Sequence, residues 1–487
     1  LMPLILPGNV TSATAAAYDV ANSCRFNDAD SPYMHKTFVS PTDNKKFTFS
    51  VWLKRGVLGA VMRIFERYWS GSGGQGYLEF TSGDVLKFYN YGTDSGTDDE
   101  LITNRVFRDV AAWYHIVIVY DSANGTAGNR MRMYINGTEE TSFSSDVNPG
   151  ENESSSINVA DVPHNIGYKD YNNTAYFDGY MAEVVFSDGQ AYAASDFGEF
   201  DDDSPTIWKP KDVSGLTFGN NGFYLDFEAS GNLGNDVNGG TDLTESGLAA
   251  VDQCTDSPTN NFAVMNPLDN LYQASAFSEG NCQVTTNAGY YSFNSSTMWL
   301  TAGKWYWEVR TTTNGSFAQT HGISGQVAVT SQDYCGRQAV AYSYYSVGKK
   351  VNNHTHVTTG YDPYGGADDY PNAVTTDIVG VALDLDNLKV YFAKNNTWQD
   401  SGDPTSGATG TGAAYTITAP SGVEMGGYSM CTSEFGSQSD VFEANFGNPV
   451  TALDSAAADE NGYGAFEFAP PSGYLAICTK NLGSDGG

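Results

Sequence analysis

The sequence predicts an all-β chain built as two antiparallel β-sandwiches joined by a packed connector. Three observations carry that expectation. Aromatic residues make up 13% of the 487 residues, with 31 Tyr and 53 Gly, whereas charged residues are only 17%. The aromatic and β-branched runs are short and separated by Gly, Asn and Asp, with almost no helical period. The third observation is the stretch 176–190, YFDGYMAEVVFSDGQ. Its middle is apolar on both alternating faces apart from Glu183, and Asp178-Gly179 and Asp188-Gly189 bound it, which reads as a strand covered on both faces.

At roughly 100–200 residues per domain, this length predicts two to four domains. Residues 1–22 form an arm, LMPLILPGNV followed by an Ala-rich stretch. Two roles are open for it, an outer strand of the first sandwich or an anchor onto a neighbouring subunit. Residues 23–200 make the first domain, in which Phe47, Phe49, Val51 and Leu53 share one face of a strand. Further strands are predicted at 77–80, 85–92, 113–121 and 131–136. Asn136-Gly137 then supplies a two-residue hairpin turn. The polar loop 145–156 precedes IGYKD, the 176–190 strand and a short helical turn in AYAASDFGEFD. Residues 201–270 read as a connector, and Trp208, Phe223, Tyr224 and Phe227 predict that it packs against one or both domains. Residues 271–478 make the second domain, whose central hairpin turns at Asp386-Asn387. Residues 479–487 read as a flexible tail.

Several of these stretches resemble known families. In the first domain, FTFSVWLKR (47–55), WYHIVIVYD (113–121), MRMYINGTEE (131–140), HNIG (164–167) and the 176–190 strand resemble the laminin-G-like, concanavalin-like jelly roll. The closest likeness is to the variant common in large tailed-phage virion proteins. GKWYWEV (303–309), DIVGVALDLDNLKVYFAKNNTW (377–398), EANFG (443–447) and GYGAFEFAPPSGYLAICTKNL (462–482) resemble, in order, the SPRY β-sandwich. The opening arm and DSPTNNFAVMNPLDN (256–270) are also typical of the resembled phage proteins. The resemblance implies a tail fibre or similar appendage that binds host-surface glycan or protein without catalysis. It implies other virion subunits as partners, a homo-oligomer such as a trimer, and a place on the phage particle surface, extracellular after host lysis. A capsid or tail decoration protein anchored by the arm, a polysaccharide depolymerase and a secreted bacterial adhesin are the alternatives.

The net charge of −33 argues against sequence-independent nucleic-acid binding and against anionic membranes, both of which need a basic footprint. High solubility explains it, with divalent cations as the second explanation. Six cysteines at 24, 254, 282, 335, 431 and 478 show no metal-like pairing and read mostly as buried thiols. Cys254 with Cys282 is the one pair near enough in sequence to suggest a bridge. The apolar start 1–7 is short, lacks a basic residue and is broken by Pro3 and Pro7, unlike a signal peptide. No apolar run reaches the ~20 residues of a membrane-spanning helix.

Candidate chemistry is sparse. Concanavalin-like glucanases need alternating carboxylates on one strand. Asp384-Leu385-Asp386 comes nearest, without the Glu that should follow, and Glu183 stands alone, so no catalytic residue is assigned. No cofactor is required. Calcium, a hard ion that prefers oxygen ligands, has candidate ligands in Asp94, Asp98, Asp99, Asp121, Asn124 and Asp170, all of which also suit polar turns. His354-Thr355-His356, with Asp362 nearby, has spacing that could hold zinc. The loop 342–370 supplies the ligand-binding candidates Tyr361, Asp362, Tyr364, Asp368, Asp369 and Tyr370, tyrosines beside carboxylates that suit sugar or protein contact. Tyr68, Trp69, Tyr77, Phe88, Tyr89 and Tyr91 form a second aromatic cluster, open between core and surface.

Overall fold

The computed structural model describes residues 18–67, 74–91, 96–202, 204–270, 273–315, 317–358, 360–365 and 376–485. The chain is all-β and antiparallel throughout its main sheets, and it divides into two compact units, with the boundary between Thr259 and Asn260. Among the described residues no helix is long and apolar enough to cross a membrane.

The first unit stacks two eight-stranded sheets. One runs Thr138–Glu139, Met131–Ile135, Tyr114–Asp121, Lys46–Arg55, Gly179–Asp188, Ser23–Phe26 and Gln253–Cys254, with Phe223–Leu225 also paired to Gly179–Asp188. The other runs Phe143–Val147, Asp98–Val106, Val85–Tyr91, Gly76–Phe80, Met62–Arg67, Pro163–Ile166, Tyr33–Thr37 and Thr244–Ser246. Phe47, Phe49, Val51 and Leu53 meet Ile64, Phe65, Leu78 and Phe88 in the core between the sheets. Asn136 and Gly137 both adopt positive φ, and the hairpin closes on the pair Ile135 and Thr138.

All ten residues of Gly179–Asp188 are buried. Val117, Val119, Val185, Phe197, Phe218 and Tyr224 form a second apolar layer on the outside of its sheet. That layer comes largely from 190–224, so much of what reads as connector is the outer wall of the first sandwich. The segment 201–270 divides: up to Thr259 it belongs to the first unit, and from Asn260 it belongs to the second. Of the arm, 1–17 lies outside the described residues, while Tyr18 and Val20 pack with Trp52, Trp113 and Tyr180.

The central strand carries a bulge. Ala182 faces Trp52 and Val185 faces Ser50, leaving Glu183 and Val184 opposite one partner residue. Glu183 takes φ +51 there, and the alternation shifts by one residue. Met181 and Val184 therefore both enter the core, while Ala182 and Val185 both face the outer layer. Without the bulge, strict alternation from Met181 would aim Glu183 into the core.

At the strand's end, Asp188 is fully buried and accepts four N–H groups: Thr42 N at 2.7 Å, Asp43 N at 3.2 Å, Asn221 N at 3.2 Å and Asn158 Nδ2 at 2.6 Å. Asn221 in turn joins Asn158 and both backbone groups of Val39. A second buried charge, Asp256, takes Lys54 Nζ at 2.8 Å and the Trp113 indole N–H at 3.0 Å.

The second unit repeats the two-layer plan. One sheet runs Ala276–Ser278, Gln283–Thr285, Val441–Asn445, Lys304–Thr313, Ile378–Asp384, Lys389–Lys394 and Thr397–Trp398, with Tyr415–Thr416 beside Lys389–Lys394. The other runs Asn294–Ser295, Ser429–Glu434, Gln319–Ser324, Ala341–Tyr345, Lys349–Asn352 and Thr355–Thr358. Trp305, Trp307, Val379, Val381, Phe392 and Met430 fill the space between them. The tail differs from expectation: Thr479–Asp485 is a helix whose Asn481 and Leu482 are buried, so the chain is anchored as far as residue 482. All six cysteines are buried thiols.

Replacing Asp188 with Ala would leave four N–H groups without this acceptor, two of them, Asn158 Nδ2 and Asn221 N, in buried surroundings. The expected loss of unfolding free energy is at least about 3 kcal/mol. Urea denaturation of the two proteins measures it, and a loss under about 1 kcal/mol would refute the central role given to this carboxylate.

Candidate functional site

The first unit carries an open cleft of about 370 Å³ lined by Tyr134, Gly137, Phe200, Trp208, Glu199 and Lys211, with 193–195 and Gly198 completing the wall. Its position follows from two hairpin-like pieces. Tyr134 and Gly137 come from the Asn136-Gly137 hairpin. Gly198–Phe200 pairs with Trp208–Pro210, so that Phe200 sits directly opposite Trp208. Their rings meet edge to face at 4.9 Å.

Trp208 is held from beneath. Its indole N–H donates to His115 Nδ1 at 2.9 Å. Because an indole nitrogen can only donate, Nδ1 accepts and the imidazole proton sits on Nε2, which donates to Ser50 Oγ at 2.8 Å. His115 is fully buried and stacks on Trp52 at 4.6 Å, and burial pushes its pKa down to about 3. It is therefore a neutral strut. Gly137 and Gly198 are required here, since a Cβ at either position would lie within 2.6 Å of the Trp208 ring. Phe200 is 43% exposed. At the polar edge, Lys209 engages Glu199 at 3.5 Å and Asp201 at 3.4 Å, while exposed Lys211 reaches the Ser195 carbonyl at 3.5 Å. An aromatic floor with a few charged groups at its rim is suited to a ring with one apolar face and several hydroxyls.

The sequence did not single out this cleft. Trp208 was legible as a packing residue, but its neighbours are brought in from three separate stretches. The loop that sequence did favour is placed differently. Tyr361 and Tyr364 are 4% and 0% exposed and pack edge-on against Tyr344, at 5.1 and 4.8 Å. The Tyr364 hydroxyl donates within reach of the Gln319 and Tyr344 carbonyls, at 3.0 and 3.1 Å. As placed, these two rings are core anchors and offer no stacking surface. Asp362 is exposed, and its N–H donates to Gln399 Oε1 at 2.8 Å. Asp368, Asp369 and Tyr370 lie outside the described residues.

Among the described residues the calcium candidates do not gather. Asp94 lies outside the described residues. Asp98 accepts the Tyr89 hydroxyl at 2.5 Å, and Asp170 accepts that of Tyr168 at 2.8 Å. Asp99 is buried beside the Asn90 amide, and burial pushes its pKa up to about 7. Asp121 faces Lys46 at 3.8 Å, and Asn124 Oδ1 accepts Thr126 N at 3.0 Å. Among the described residues no three His, Cys, Asp or Glu side chains cluster to hold a metal. Asp384 and Asp386 accept the N–H groups of Asn387 and Gly303 and so shape the hairpin. His354 and His356 both meet Tyr334 rather than Asp362. In the second aromatic cluster Phe88 is core, whereas Tyr77 and Tyr89 stack at 4.9 Å on the half-exposed sheet face; Tyr68 and Trp69 are outside the described residues.

Residues 28–194 match the sequence profile of the concanavalin A-like lectin/glucanases superfamily. This segment is a laminin-G-like, concanavalin-like domain. No curated protein matches the chain. Three of the solved structures that show partial likeness illustrate it. The SPRY domain of human HERC1 is 15% identical, covering 33% of this chain and 86% of that one, with a TM-score of 0.25. Another human SPRY domain is 14% identical over 35% of this chain and 92% of that one, with a TM-score of 0.25. A Bacteroides ovatus protein described as carbohydrate binding is 16% identical over 47% of this chain and 58% of that one, with a TM-score of 0.33.

Glu183 offers a test of the bulge. Its Oε2 accepts the Tyr18 and Tyr224 hydroxyls at 2.9 and 2.8 Å, and burial pushes its pKa up to about 7 from 4.5. The folded chain therefore holds a proton that the unfolded chain releases between pH 4.5 and 7. Stability falls as pH rises through that window. In urea unfolding, Glu183→Gln is expected to gain roughly 2 kcal/mol relative to the parent at pH 8 compared with pH 5.5. An equal difference at both pH values would show that the bulge carboxylate titrates normally.

Proposed function

We propose that this chain is a non-catalytic carbohydrate-binding protein whose first sandwich takes a sugar ring in the Trp208–Phe200 cleft. The observation that carries the reading is the cleft itself: a solvent-open aromatic floor pinned by a buried neutral histidine and edged by Lys211 and Glu199. The lectin-type profile of residues 28–194 supports it. So does the engagement of Asp384, Asp386 and Glu183 in turn and bulge hydrogen bonds, which leaves them no arrangement as an acid and nucleophile pair. On the sequence resemblance we further propose a virion role, as a homo-oligomeric tail-fibre or appendage subunit that recognises host-surface glycan or protein. The same two sandwiches would also serve a decoration protein, which would have protein contacts and no sugar affinity.

A glycan array read with the full chain, in calcium and again in chelator, tests the proposal. Saturable binding is expected, with the glycan's mass unchanged. Phe200→Ala should weaken it about tenfold, which corresponds to ~1.4 kcal/mol, while the chain stays folded, because that ring is 43% exposed and lies outside the core between the sheets. Loss in chelator would add calcium to the site. A shortened glycan would replace the lectin reading with a depolymerase, and absence of binding would favour the decoration role.

A further inference from the structure

We propose that Tyr334, His354 and His356 form a binding site for a first-row divalent transition-metal ion. The Tyr334 hydroxyl oxygen lies 2.8 Å from His354 Nδ1 and 2.9 Å from His356 Nε2. Two protons now link the group: the phenol donates its own to one imidazole and accepts the N–H of the other. Three donor atoms of the types that zinc and copper prefer therefore converge on one point. Metal–nitrogen distances of ~2.0–2.1 Å spread tetrahedral ligands slightly further apart than hydrogen bonds do, so a shift of a few tenths of an ångström admits the ion. The phenol proton leaves to solvent, the imidazole that donates its N–H carries that proton on its other ring nitrogen instead, both then present a lone pair to the metal, and water fills the remaining positions, since His354 is exposed.

The frame around these atoms is rigid. Asn353 and His354 are the two turn residues between Lys349–Asn352 and Thr355–Thr358, both at positive φ, 48° and 58°. Such turns favour Asn-Gly, so a histidine at the second position is a departure that places an imidazole at the tip. The turn is clamped to the segment that carries Tyr334: His354 N donates to the Gly336 carbonyl at 3.1 Å and Asn353 N to that of Gln338 at 3.2 Å. Next to Tyr334, Cys335 N donates to Ser433 Oγ at 2.7 Å, and its carbonyl accepts Ser343 Oγ at 2.8 Å. Phe435 packs 4.6 Å from the Tyr334 ring, and Tyr345 packs 5.5 Å from His356. Backbone and side-chain contacts thus fix all three ligands before any ion arrives. Of the cations facing the site, Arg337 is offset by Asp333 at 3.9 Å, and Lys349 is the remaining repulsive charge.

The test uses the full chain, stripped with chelator and titrated with copper(II) chloride, the strongest binder in the divalent series. One equivalent is expected to bind with a phenolate-to-copper charge-transfer band in the visible. Tyr334→Phe should abolish the band and weaken binding at least about tenfold. Exposed His354 provides a second variant: His354→Ala should do the same, with unchanged far-ultraviolet circular dichroism showing that the fold is kept. His35→Ala, in the other unit, should change neither. Copper that binds without the band, or equally well in Tyr334→Phe and His354→Ala, would be held elsewhere and would overturn the site, as would no binding at all.

Discussion

The first sandwich depends on one carboxylate. Asp188 ends the strand that is buried on every side, and its two oxygens gather N–H groups from the 42–43 loop, from Asn158 and from Asn221. The Asn158 and Asn221 groups would otherwise be buried donors without this acceptor, and the cost of leaving such donors unmet exceeds what one apolar contact returns. Three loops distant in sequence are thereby fixed to one end of the sheet. The wall that positions Trp208 begins just beyond this point, in the chain that turns at Asp188-Gly189.

The same logic accounts for much of the acidity. In the second unit, Asp459 accepts the N–H groups of Tyr463 and Ala476 and the Asn481 amide, while Glu308 accepts those of Glu467 and Phe468. Asp333, Asp377 and Asp440 each take the backbone N–H of a loop residue. Carboxylates of this kind are internal fasteners for long, irregular connections between strands. A negative composition in such a chain reports on loop closure as much as on partners.

The all-β architecture was legible because apolar alternation and Asn-Gly and Asp-Gly turns are local signals, as at Phe47–Leu53 and Asn136-Gly137. The bulge was half legible: Glu183 interrupts the apolar pattern, yet only the register shows that the chain steps around it. Tyr361 and Tyr364 were misleading because Gly, Pro and Asp neighbours look like a surface loop, whereas both rings pack against Tyr344 and the Tyr364 hydroxyl reaches buried carbonyls, which lets tyrosine serve as core. The aromatic cleft was not legible, since Tyr134, Phe200 and Trp208 meet through strand pairing that no spacing rule encodes. The His354 and His356 pair was visible, but its third member is 20 residues upstream of His354 and is brought there by the clamped turn.

The buried state of all six thiols has a practical side. Burial keeps all six away from reagents in the medium while the chain is folded. No native sulfhydryl stands at the surface to compete with a cysteine introduced there. A fluorophore, spin label or surface tether attached through one added thiol would thus report from a single known position on either sandwich.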